Sequence, residues 1–147
     1  MKTGIMYNPF VDDSYNRFGV EKFKKIKEFG FDAIDYNLAD TNTPIYSFTD
    51  RELKSFTDKE NELLLKADIT ISQVHGPWRW PPQDAAKEDR AERFEKMSKS
   101  LQITKMLGCK YWVMRISHDY DTIFKFIFDR GHICGSRIYR IILYGGK

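Results

Sequence analysis

Cysteine is nearly absent from this 147-residue chain, which has two, Cys109 and Cys134. They fit neither a C-x-x-C pair nor the spacing of zinc ligands, and two thiols do not make a disulfide-built scaffold. Histidine is scarce too, at three residues. That is few for a centre built on clustered imidazoles. No apolar run approaches the length of a bilayer span, and Met1-Lys-Thr-Gly-Ile-Met6 lacks the apolar core of a secretory signal. A cytoplasmic protein without membrane contact is expected. Charge of one sign is also lacking: the net value is +3 and the lysines alternate with acids, which argues against a nucleic-acid partner. The densest basic run, Lys22-Phe-Lys-Lys-Ile-Lys27, has Val20, Phe23 and Ile26 at helical spacing, so it is expected to be the solvated face of a helix.

What the chain does have is an alternation of short apolar runs with amphipathic ones. At 147 residues and 41% hydrophobic content it can build one domain with a real core. Gly4-Ile-Met-Tyr-Asn8 reads as a first strand, ended by Asn8-Pro9 because a residue before proline is pushed away from helix. Val20, Phe23, Ile26 and Phe29 recur at three-residue steps as one helix face, with Gly30 as the stop. Phe31 to Tyr36 is the second strand. Thr49 and Glu52 then make a capping box, with Phe48 and Leu53 as its staple, opening a helix that runs to about Ala67. Ile69 to Val74 is the third strand. A loop rich in proline and tryptophan runs from His75 to about Asp84, and a helix with Phe94, Met97 and Leu101 inward ends near Gly108. Cys109 to Met114 is the fourth strand. Helices between strands imply parallel pairing and an α/β fold.

Residues 115–147 differ. Every glutamate lies before them, arginine outnumbers lysine, and the apolar stretches Ile123–Phe128 and Ile138–Tyr144 suggest strand or ambiguous buried structure without a capped helix. The expected organisation is a 1–114 unit of about four parallel βα modules and an atypical 115–147 tail, divergent or read from a shifted frame.

Three features then converge: Gly30-Phe-Asp-Ala-Ile-Asp35 after a lysine-rich helix, Val74-His75-Gly76-Pro77 closing the third strand, and Leu107-Gly108-Cys-Lys-Tyr-Trp-Val113 leading into the fourth. Together they resemble the N-terminal half of the sugar phosphate isomerase/epimerase family, the xylose isomerase-like TIM barrels, whose superfamily includes endonuclease IV. The resemblance covers roughly residues 3 to 114. It implies a partial (β/α)8 barrel with its active site at the carboxyl ends of the strands. It also implies a divalent metal (manganese, magnesium, cobalt or zinc) that polarises a sugar carbonyl while carboxylates move a proton on the adjacent carbon. In the family those carboxylates come mainly from later strands. A second histidine often follows strand four, where this chain has Arg115, with His118 three residues beyond.

The residues at strand ends are the candidates. His75 closes the third strand before Gly76-Pro77, a place suited to an imidazole that touches ligand or, by the resemblance, metal. Trp78 and Trp80 suit the apolar face of a sugar. Asp35 and Asn8, at the ends of strands two and one, suit hydroxyl groups. His118, Asp119 and Asp121 form an H-D-x-D cluster, and His132 and Cys134 lie close together without partners at zinc spacing. No catalytic residue is assigned. The expected function is that of a sugar phosphate isomerase/epimerase-like protein acting on a sugar or sugar phosphate, truncated and weakly active or inactive. The alternatives are a phosphodiesterase of the endonuclease IV kind, acting on abasic DNA, and a non-catalytic half-barrel that binds a partner. A half-barrel leaves sheet edges and an inner face open, so a homodimer covering them is also expected.

Overall fold

The computed structural model describes residues 2–10, 19–78, 86–116 and 140–145. Strand β1 (Gly4–Tyr7) is followed by a 3-10 turn at Gly19–Glu21 and helix α1 (Lys22–Glu28). Strand β2 (Ala33–Asn37) leads through a second 3-10 turn at Pro44–Ser47 to helix α2 (Asp50–Ala67). Strand β3 (Thr70–His75), helix α3 (Lys87–Met106), strand β4 (Tyr111–Ile116) and strand β5 (Arg140–Gly145) complete the order.

All neighbouring strands are parallel, and the sheet order is β1-β2-β3-β4-β5. Sequential order is that of a barrel wall; a doubly wound sheet would reverse direction partway across. The expected α/β partial barrel is therefore present. It carries one strand more than the four foreseen, because the tail contributes β5, which pairs with β4 from Tyr111↔Arg140 to Ile116↔Gly145.

Local chemistry sets the boundaries. Thr49 accepts from the Glu52 N–H while Glu52 Oε2 accepts from the Thr49 N–H at 2.8 Å, so the foreseen capping box opens α2. Gly30 and Gly108 both take positive φ, +89° and +69°, just past α1 and α3, where a side chain would be strained. The α1 face is narrower than its three-residue pattern suggests. Val20 sits in the 3-10 turn and Phe29 follows the last helical residue, and both are exposed. Phe23 alone of those apolar positions is fully buried. Nor is the lysine run wholly solvated, since Lys22 is buried against Glu60 of α2.

The core lies between sheet and helices. Ile34, Tyr36, Val74 and Trp112 from the strands meet Phe23, Leu53, Leu64, Met97 and Ile103 from the helices. Burial of so many large side chains, at roughly 25 cal/mol per Å² of apolar surface, is the main force holding the helices to the wall.

One irregularity fixes what the opposite face shows. Ile34 pairs with Ile71, but the next residue, Asp35, pairs with Gln73, so Ser72 is an extra residue in β3. A strand alternates its side chains, and one inserted residue resets that alternation. Ile71 and Val74 can therefore both serve the core, while Gln73 and His75 turn to the other face beside Asp35 and Asn37.

Candidate functional site

Strand alternation and the bulge bring a polar cluster to the carboxyl end of β2 and β3. Asp35 pairs with Gln73 and Asn37 with His75. His75 Nε2 lies 3.0 Å from Asp35 Oδ2, with the two side chains 29% and 19% exposed. Gln73 Nε2 donates to the same Asp35 oxygen at 2.8 Å and stands 3.2 Å from His75 Nε2. The other carboxylate oxygen, Asp35 Oδ1, is buried and has no hydrogen-bond partner among the described residues. Beside this triad, Asn37 Nδ2 donates to Asn8 Oδ1 at 2.6 Å, and Asn37 Oδ1 accepts from the Ala39 N–H at 2.9 Å.

The backbone makes the rim rigid. Leu38 N–H donates to the His75 carbonyl at 3.0 Å and Gly76 N–H to the Val113 carbonyl at 2.8 Å, extending the ladder past the strand ends. Trp78 N–H donates to the Ala39 carbonyl at 2.9 Å, tying the loop after β3 to the loop after β2. Gly76 is required by space: a Cβ there would stand 2.6 Å from Trp112 Cζ2. The glycine after His75 thus lets the chain pass over a fully buried indole.

Of the residues picked from the sequence, Asn8, Asp35 and His75 come together at this rim, and Trp78 anchors the adjoining loop. Trp80, His118, Asp119, Asp121, His132 and Cys134 lie outside the described residues. Sequence reading missed Gln73 and Asn37. Each lies two positions from a residue that was chosen, and period-two alternation is the signal that places Asn37 with Asp35 and Gln73 with His75.

Two ligand atoms at right angles on an ion with bonds of about 2.1 Å stand about 3 Å apart, which matches the separation of His75 Nε2 and Asp35 Oδ2. Those atoms nevertheless face one another as hydrogen-bonding partners. No group of three or more His, Cys, Asp or Glu suited to a metal occurs among the described residues. These residues alone do not fit a metal centre. What they can do is accept and donate hydrogen bonds over a small area and hold an imidazole against a carboxylate, an arrangement suited to proton transfer.

A cleft of about 780 Å³ lies elsewhere. Lys2, Gly4, Ala33, Thr70 and Tyr111 line it, so it opens at the amino ends of the strands, away from His75. Its thiol, Cys109, is pushed to a raised pKa by burial, which makes it a poor nucleophile.

No known family profile matches the chain, and no curated protein matches it either. Among solved structures, the chain is similar to a xylose isomerase-like TIM barrel protein from Mycobacterium smegmatis in complex with magnesium. That likeness has 16% identity and a TM-score of 0.46, and covers 66% of this chain and 29% of the other. It is also similar to a protein from Anabaena variabilis described as a sugar phosphate isomerase/epimerase. Here identity is 21% and the TM-score 0.48, with 77% of this chain and 37% of the other covered. The chain thus spans well under half the length of either structure. The barrel-wall reading stands on the order and direction of the strands themselves. No helix among the described residues is long and apolar enough to cross a membrane.

Proposed function

We propose that the rim formed by Asn8, Asp35, Asn37, Gln73 and His75 binds a small polyhydroxylated molecule, a sugar or sugar phosphate, and that the Asp35–His75 pair is its proton-handling element. The observation that supports this is the contact of His75 Nε2 with Asp35 Oδ2 at the carboxyl end of parallel strands, where barrels of this kind carry their chemistry. Amide and carboxylate groups side by side suit vicinal hydroxyls, since each hydroxyl both donates and accepts. Asn8 and Asn37 would orient the ligand, and Trp78 would cover it from the loop.

Among the described residues, Asp35 is the single carboxylate in this cluster. A divalent metal, where further ligands complete its shell, would polarise the sugar carbonyl. The residues here supply binding, orientation and one acceptor for a proton, which supports binding with weak turnover. Isothermal titration with fructose 6-phosphate and ribose 5-phosphate tests the binding. His75→Ala and Asp35→Asn are each expected to weaken it by about tenfold or more, corresponding to about 1.4 kcal/mol. Equal affinity in wild type and both variants would overturn the site. An aldose–ketose isomerase assay with added manganese tests the rest, and fast turnover would overturn the weak-activity reading.

A further inference from the structure

The two ring nitrogens of His75 stand in different surroundings. Both polar contacts of the ring are made by Nε2, to Asp35 Oδ2 at 3.0 Å and to Gln73 Nε2 at 3.2 Å. Nδ1 has no such partner among the described residues. In a neutral imidazole Nε2 carries either a proton or a lone pair. With a lone pair it would accept from the Gln73 amide but would also face the Asp35 carboxylate, setting two acceptors against each other. With a proton it donates to that carboxylate, and a charge-assisted bond of this kind is roughly twice as strong as one between neutral groups. The carboxylate decides the tautomer.

Something must then hold the carboxylate in place. Among the described residues Asp35 Oδ1 has no partner, and the side-chain bonds to Asp35 are those of His75 and Gln73, both to Oδ2. Gln73 reaches Oδ2 from the neighbouring strand because the extra residue, Ser72, has brought it opposite Asp35.

We infer that Gln73 is a positioning residue: it fixes Asp35 across His75 Nε2, holds the ring as the Nε2–H tautomer, and leaves the lone pair of Nδ1 to meet the ligand. The ligand end of this inference rests on the proposed function; the tautomer does not. An Nδ1 lone pair accepts a proton or a hydrogen bond. The group that docks on His75 is therefore a hydroxyl, while the phosphoryl group of a sugar phosphate, fully ionised, docks elsewhere on the rim.

Long-range proton–nitrogen correlation spectra of the full chain, without ligand and at a pH where the ring is neutral, test this. The His75 signals are identified by their loss in His75→Gln. Nε2 is expected in the range of a protonated ring nitrogen and Nδ1 in that of a bare one. Gln73→Leu is expected to move both toward an averaged position. Asp35→Asn is expected to reverse the pattern, because an amide can offer N–H to Nε2. A wild-type ring protonated at Nδ1, or a pattern unchanged in folded Gln73→Leu, overturns the inference. The wild-type spectrum decides the tautomer even where a variant fails to fold. Fructose 6-phosphate added to the wild type is expected to shift Nδ1 more than Nε2, and a larger shift at Nε2 overturns the ligand-facing assignment. No shift at either atom counts against the proposed function, and the ligand-free spectrum still decides the tautomer.

Discussion

Ser72 Oγ donates a hydrogen bond to the Ile34 carbonyl at 2.8 Å, and this bond sits where the β2–β3 ladder skips a residue. The side chain thus supplies a donor to a buried strand at the point of irregularity. Ser72→Ala removes that donor and is expected to cost about 1 kcal/mol while leaving the polar rim in place. Deleting Ser72 is a different experiment. It removes the extra residue and leaves Ile71, Gln73, Val74 and His75 in plain alternation opposite Ile34, Asp35, Tyr36 and Asn37, so each face keeps its side chains. Thermal melts test both: the substitution and the deletion should each keep a cooperative transition. A deletion variant that loses its cooperative transition would show that Ser72 is not the dispensable extra residue of the ladder.

Gly76→Ala is expected to destabilise the fold by about 1–3 kcal/mol, the range for overpacking. The new methyl would press on the Trp112 ring, and that ring has little freedom. It is fully buried, and its Nε1 donates to Ser100 Oγ at 3.1 Å. A chemical-denaturation midpoint measures the loss, and Trp112 fluorescence should report the disturbed ring. Gly76→Ala combined with Trp112→Phe should recover part of the loss by giving the methyl room.

Much of this architecture is legible from the chain. Alternating strand and helix periods, the Thr49–Glu52 box and the glycines after α1 and α3 define the βα modules, and His75 stands out by type and position. Three things were not legible, each for a physical reason. The Ser72 bulge is a property of two strands together, so a single strand's alternation cannot reveal it. It is also what brings Gln73 beside Asp35. The 3-10 turn at Gly19–Glu21 changes the phase of α1, leaving Val20 and Phe29 outside a stripe that three-residue spacing alone would extend. Finally, Lys22 reads as one of several surface lysines, and only the approach of α2 buries it.

That burial carries its own prediction. Lys22 Nζ is ion-paired with Glu60 Oε1, Tyr36 OH donates to Glu60 Oε2 at 3.3 Å, and the ammonium lies 4.9 Å from the Phe23 ring centre. Loss of water around Lys22 pulls its pKa below the ordinary lysine value even though Glu60 opposes that shift. Removing one partner strands the other charge in the core. Lys22→Met and Glu60→Leu are each expected to cost about 3–5 kcal/mol, whereas the double variant should return close to wild-type stability. Denaturation of all four proteins completes the cycle, and additive single losses would show that the two charges are not coupled.

The α2 capping box should appear in the pH dependence of stability. The Thr49 N–H and hydroxyl both bond the Glu52 carboxylate and hold its pKa below the usual glutamate value. A group whose folded pKa is depressed contributes its stability above the unfolded value, about 4.3, and loses it as pH falls through the folded one. In that window the unfolded chain binds the proton first, so stability must fall as acid is added. Glu52→Gln has no such proton to bind and should show a shallower loss below about pH 4.3. Its amide should still complete the box at neutral pH, since glutamine serves at this position too. Thr49→Ala removes the other half and is expected to cost about 1 kcal/mol at neutral pH. Melting temperatures of the three proteins from pH 7 down to pH 3 decide the matter. Parallel curves for wild type and Glu52→Gln would mean that the carboxylate's bonds to Thr49 contribute no proton-linked stability to the helix.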